Sequence, residues 1–222
     1  MIKKSNNINK TTYFLQIFDC AEKHYSKSIK RLAGDDWKND WQTLIAVMLS
    51  AQTRDETTIP VAESLFNKYP RLSDLANAKK TEIVKTISRV NFKNTKAKNI
   101  SETAKKLQNR YNGKVPDDLN ELIKLPGVGR KTANLVLSEI YGIEGICVDT
   151  HVHRISNVLE FVKTKTPTET EFELMKIVPK EKWSNINRIL VLWGKEVPGR
   201  NKEKLLNKIN FKKNIDFFKE EK

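Results

Sequence analysis

The 222 residues are enough for one well-packed core, or for two lobes sharing one, without disulfide staples. Lys and Arg number 41 against 27 Asp and Glu, a formal charge of +14 spread along the chain, which points to a polyanionic partner, nucleic acid ahead of an anionic membrane. Cys20 and Cys147 are too few for a disulfide framework or a multi-cysteine metal site, and neither a membrane-length apolar run nor a signal core follows "MIKKSNNINK", so a reducing location is expected, cytoplasmic and nucleoid-associated, or nuclear in a eukaryote, not secreted.

Apolar spacings of three and four recur from end to end, and no period-two segment outruns "ICV", so the expected fold class is all-α. In chain order the helical windows are Thr12–Tyr25, Trp41–Gln52, Glu56–Lys68, Lys80–Ile87, Thr95–Tyr111, Leu119–Leu125, Arg130–Tyr141, Thr150–Leu159, Thr168–Lys176 and Trp183–Trp193. Turn formers such as Tyr69-Pro70, Asn112-Gly113, Val115-Pro116, Gly142 and Thr166-Pro167 fall between them. "WQTLIAVMLSAQ" is apolar nearly all round and reads as the most buried helix. After Gly199 the composition turns to Lys and Asn, yet Leu205, Leu206, Ile209 and Phe211 allow that tail to dock as a short helix.

"LPGVG", Leu125 to Gly129, joins two helical windows in the pattern of a helix-hairpin-helix, about 119–141. Gly127 and Gly129 free the turn of side chains, and the amides of the turn and of the next helix start favour a phosphate oxygen. Leu125, Gly127, Val128, Gly129 and Arg130 are therefore candidate DNA-binding residues, gripping backbone without reading bases. A P-loop is ruled out by spacing and by the helix preceding the glycines. Lys131, at the positive end of the helix dipole beside Arg130, has two readings: another phosphate contact, or an amine that packing and its neighbours make easier to deprotonate and hence nucleophilic.

Eighteen residues after Lys131, "CVDTHVHR" places Asp149 at the head of a helix, followed by Thr150 and His151. Asp149 suits a helix cap, and a capped carboxylate is also rigid enough to stabilise positive charge developing on a sugar. His151 and His153 are two apart on a helix and point in different directions, so they do not form a metal site.

"LPGVGRKTAN" with the aspartate of "VDTH", "LIAVMLSAQTRD" and "FKNTKAKNI" together resemble the helix-hairpin-helix glycine/proline/aspartate (HhH-GPD) family of DNA glycosylases, its endonuclease III branch above all, from about Trp41 to Trp193. The resemblance implies two helical lobes with the active site in the cleft between them: a six-helix barrel over 34–143, and a lobe built from 1–33 and 144–222. It implies that Lys131 attacks C1′ of a damaged nucleotide, removes an oxidised pyrimidine of thymine glycol type, forms a Schiff base and cleaves 3′ to the abasic site by β-elimination, with Asp149 assisting. It further implies that the nucleotide is flipped out, that Gln52 and Phe92 are wedge positions, and that Thr150 and His151 approach DNA. As residues alone, Gln52 also suits a polar helix end and Phe92 a core position. The expected partner is double-stranded DNA with damaged bases or abasic sites, bound by a monomer.

The sequence departs from that family after "LWG", where four cysteines ordinarily hold a [4Fe–4S] cluster and none occurs here. No cofactor is expected, apart from a monovalent or divalent ion on the hairpin by analogy. Lys202, Lys204, Lys208, Lys212 and Lys213 are expected to supply the cluster loop's DNA contact, and the tail's apolar residues its structural role. A monofunctional mismatch glycosylase of the same family, and a non-catalytic hairpin module, are the rival readings.

Overall fold

The structure is a computed structural model that describes residues 9–28, 30–143 and 145–211. Among the described residues every long regular element is helical, as the periodicity predicts. The helices are α1 (Lys10–Tyr25), α2 (Asp40–Ser50), α3 (Asp55–Lys68), α4 (Leu72–Ala76), α5 (Lys80–Thr86), α6 (Lys93–Arg110), α7 (Leu119–Leu122), α8 (Arg130–Tyr141), α9 (Thr150–Val158), α10 (Pro167–Ile177), α11 (Trp183–Glu196) and α12 (Lys202–Lys208). The chain divides into two compact units, one of Lys30–Gly145 and one of Met1–Ile29 with Ile146–Lys222.

The unit of Lys30–Gly145 is built around α2, whose residues Trp41 to Leu49 are all buried. The all-round apolar sequence therefore does what its composition requires: it has no face to give to water. Leu65 of α3, Leu75 of α4, Ile83 of α5, Ile100 of α6 and Val136 of α8 are fully buried in the same core. The helix stops two residues before the expected end. Ala51 turns away (φ −54°, ψ 116°) and Gln52 follows in the left-handed region (φ 54°).

That stop exposes a polar problem, because the last carbonyls of a helix lack intrahelical donors. Lys96 of α6 answers it, donating from Nζ to the carbonyls of Leu49 and Ala51, each at 2.7 Å, and to Thr53 Oγ1 at 3.0 Å. A cation here also suits the negative end of the α2 dipole. Lys96 is only 8% exposed, and burial pulls its ammonium down to about 8 from an ordinary 10.5.

In the second unit, the Phe14 and Phe18 rings of α1 stack with centroids 5.1 Å apart, and Phe161 meets Phe14 edge-on at 4.9 Å. α9 and α11 approach closely because Gly194 has no side chain; a Cβ there would lie 2.5 Å from His151 Nδ1. The tail docks as the sequence allows. Asn201 caps α12 by accepting from the Lys204 amide at 2.9 Å, while Leu205, Ile209 and Phe211 are buried. Lys208 pairs with Glu196 at 2.8 Å, and Lys202 with Glu160. Lys212 and Lys213 lie outside the described residues.

Both placements can be tested by mutation. Leu205→Ala is expected to cost about 2–5 kcal/mol in chemical denaturation, against less than about 0.5 kcal/mol for the exposed Lys204→Ala. For Lys96, the unfolded chain binds more protons than the folded one between about pH 8 and 10.5, so this side chain's contribution to stability rises with pH across that window. The stability of wild type should gain on that of Lys96→Met there, while the two run parallel below pH 8.

Candidate active site

Within Lys30–Gly145 the hairpin is α7, the turn Leu125–Gly129, and α8. α7 ends at Leu122, three residues short of the expected window, and its start is capped by Asp118, which accepts from the Glu121 amide at 2.9 Å. Leu125 and Val128 are 2% and 5% exposed, so their side chains anchor the turn in the core and only their backbone is available to a strand. Gly127 is exposed, at φ 80°, and a Cβ added to it would lie 2.6 Å from Asn99 Nδ2 of α6. Any other residue would be strained there and would also lift the turn off α6.

Further along α6, Thr103 Oγ1 donates to the Pro126 carbonyl at 3.0 Å and Lys106 Nζ to that of Lys124 at 3.0 Å. These bonds satisfy one carbonyl of the turn and one just before it, on the side that faces α6. On its other side Gly129 stands at the α8 N-cap with an extended backbone and no side chain to accept from the first-turn amides. The helix start therefore keeps its partial positive charge, as an anion site needs.

Arg130 and Lys131 occupy the first two positions of α8. Lys131 is exposed, which removes the packing shield expected for it from the sequence. The amine is accessible to a substrate.

Gln52 and Phe92 lie on two loops of the same unit. Both are exposed non-glycine residues at positive φ, 54° and 58°, and the Phe92 ring is 63% exposed. An aromatic ring that far into water is not core, and left-handed backbone at bulky residues is the kind of strain that collects at functional sites. Gln52, Phe92 and Gly127 share a pocket of about 160 Å³ with Met48, Asn99 and Ile100.

The remaining candidates belong to the other unit. Asp149 caps α9, its Oδ1 accepting from the amides of His151 and Val152 at 2.8 Å each, so the carboxylate is held rigidly and Oδ2 lies outside the cap. Thr150 is exposed at the first position of α9. His151 is half-buried in the space that Gly194 leaves, and this packing role limits what its ring can offer to DNA. His153 faces α10 instead, with Nδ1 2.7 Å from Thr170 Oγ1.

Sequence reasoning missed Arg154, whose guanidinium donates to the carbonyls of Gly194 at 3.0 Å, Val197 at 3.2 Å, and Gly199. It thereby closes the end of α11, the region where a cluster loop would begin. Burial lowers the Arg154 guanidinium from its ordinary value, and the nearby Asp149 charge partly offsets that. Missed as well were Lys96 and Asn99. Lys96 shares a helical stripe with Ile100, Thr103 and Leu107, all buried, and a lysine in such a stripe is the signal that could have found it.

The donor set does not suit an iron–sulfur cluster. These 222 residues offer two thiols, Cys20 and Cys147, both buried, where a tetrathiolate site requires four. Among the described residues no group of three or more His, Cys, Asp or Glu side chains is arranged to hold a metal ion.

Comparison with known proteins gives this geometry its context. Residues 45–180 match the family model of the HhH-GPD superfamily of base excision DNA repair proteins. The chain is 43% identical over 170 residues to an endonuclease III of Thermotoga maritima, covering 76% of this chain and 80% of that one. It is 42% identical over 158 residues to the endonuclease III of Bacillus subtilis, covering 71% and 72%. Among solved structures, a trapped endonuclease III–DNA covalent intermediate superposes with a TM-score of 0.78 at 37% identity, over 84% of this chain and 86% of that one. The chain therefore belongs to the HhH-GPD superfamily of base excision DNA repair proteins, as an endonuclease III-like DNA glycosylase.

Proposed function

We propose that this glycosylase is also an abasic-site lyase, acting as a monomer on oxidised pyrimidines of thymine glycol type in duplex DNA, with Lys131 as nucleophile and Asp149 as its carboxylate partner. The observation that carries the reading is the exposed Lys131 amine in the first turn of α8, directly after a glycine turn whose amides suit a phosphate. Backbone grip and nucleophile lie within one short segment, so binding the strand brings the amine to it.

In this reading the hairpin amides and the start of α8 take a phosphate, Arg130 adds charge, and Gln52 and Phe92 occupy the space of the extruded nucleotide. The neutral Lys131 Nζ attacks C1′. The bond from C1′ to the base nitrogen breaks, the base leaves with its electron pair and takes up a proton, and opening of the sugar ring gives an imine with loss of the amine proton. Removal of a C2′ proton then expels the 3′ phosphate, and water hydrolyses the imine to return the free lysine. Asp149, its Oδ1 fixed by two amides, is the carboxylate that offsets positive charge on the sugar.

No cofactor takes part in these steps. The docked α12, with Leu205, Ile209 and Phe211, takes over the structural part of the cluster loop, while Lys202, Lys204 and Lys208 supply its charge. Lys202 and Lys208 are already paired with carboxylates, so among the described residues of the tail Lys204 is the lysine best placed to serve a phosphate.

Borohydride reduction in the presence of an oligonucleotide bearing thymine glycol or an abasic site tests the chemistry. A covalent adduct is expected for wild type and none for Lys131→Ala; base release without an adduct would assign the enzyme to the monofunctional branch. In anisotropy titrations with duplex DNA, the logarithm of affinity should fall linearly with that of salt, by about 0.9 for each phosphate neutralised. A flat response would contradict backbone binding.

A further inference from the structure

We propose that Lys96 is a positioning residue for strand opening: with Asn91, it holds the turns at Gln52 and Phe92 in one register, so that both side chains stand out together. The inference rests on the wedge reading of Gln52 and Phe92 given above.

The bonds around Gln52 are unusually concentrated. The three acceptors of the Lys96 ammonium belong to residues 49, 51 and 53, on both sides of Gln52, and an ammonium has three protons to give. The carbonyl of Gln52 itself accepts from Asn91 Nδ2 at 2.5 Å, and the Asn91 amide donates to Thr53 Oγ1 at 3.2 Å. Thr53 Oγ1 thus receives one bond from the α6 lysine and one from the residue before Phe92.

Left-handed backbone at Gln52 and Phe92 costs energy, and such a conformation persists where its surroundings over-determine it. Here the surroundings are these five bonds, all among residues 49–53, 91 and 96. Asn91 ties the two turns to each other, and Lys96 ties the Gln52 turn to α6, which starts directly after Phe92. A lysine buried merely to fill space would not need its three donors on one loop. Lys96 spends all of them on the loop that carries Gln52.

The prediction is a loss confined to substrates that must be opened. Lys96→Met keeps the unbranched chain, one atom shorter, and removes the donors; Asn91→Ala, at an exposed position, removes the bond to Gln52 with little risk to the fold. Two readouts are compared in the full chain: cleavage of an abasic site in duplex and in single-stranded oligonucleotide, and fluorescence of 2-aminopurine placed beside a tetrahydrofuran abasic analogue in duplex. Both variants should lower the duplex cleavage rate about tenfold or more and suppress the 2-aminopurine rise, while single-strand cleavage stays within about twofold of wild type.

Equal losses on duplex and single strand would overturn the proposal, as would an undiminished 2-aminopurine response in both variants. If Lys96→Met does not fold, Asn91→Ala decides alone. The fluorescence arm involves no chemistry, so a wild type that cleaves nothing refutes the lyase reading and leaves this inference to be decided by 2-aminopurine.

Discussion

One face of α6 sets the geometry on which the rest of the unit Lys30–Gly145 depends. Lys96, Asn99, Thr103 and Lys106 follow one another at spacings of three, four and three, and so line one side of a helix. Lys96 holds the end of α2, Asn99 lies directly beneath Gly127, Thr103 takes a carbonyl of the hairpin turn, and Lys106 takes that of Lys124 just before it. The loop carrying Gln52 and the turn that suits a phosphate are therefore measured off a single rigid element. Each of the three bonded contacts alone is a modest hydrogen bond, worth about 0.5–1.5 kcal/mol. Their value is positional, because a shift of α6 by one residue would misplace the turn and the loop together.

The same arrangement sets what each position of the hairpin turn can accept. Gly127 must be glycine twice over, for its positive φ and for the space Asn99 occupies, whereas Gly129 sits at an ordinary extended conformation, and a Cβ added to it would meet nothing within 4 Å. Its lack of a side chain matters for a different reason: a Ser or Asp there would cap α8 and occupy the amides an anion needs. Leu125 and Val128 complete the division of labour by burying their side chains, so that the turn is stiff on one side and bare on the other.

Much of the fold was legible because period and punctuation agree: α1, α3, α8, α10 and α11 begin or end within a few residues of the positions that apolar spacing and turn formers indicate. What failed to register has physical causes. α4 is five residues long, too short for any period to emerge, and is held by the Arg71–Asp74 pair and by the burial of Leu72 and Leu75. The early end of α2 could not be read locally, since the lysine that satisfies its carbonyls is about 45 residues away. Lys131 and Asp149 stand out from their places at helix starts, and Gln52 and Phe92 only through motif resemblance, since nothing in their own neighbourhoods reveals that Gln52 and Phe92 have left-handed backbones. Arg154 carries no local signal, because its three carbonyl acceptors lie some 40 residues on.

Two lysines show why a perturbed amine is not by itself a nucleophile. Lys96 has the property usually sought, an ammonium pulled down to about 8 by burial, yet its donors are committed to Leu49, Ala51 and Thr53 and almost none of its surface meets water. A substrate carbon cannot reach it without dismantling the end of α2. Lys131 is the reverse case, exposed in the first turn of a helix whose N-cap brings no side chain. Access, and a place directly after a turn whose amides suit a phosphate, are what it offers. Burial therefore sorts the two: the hidden lysine holds the loop that carries Gln52, and the exposed one is the amine to which the proposed chemistry falls.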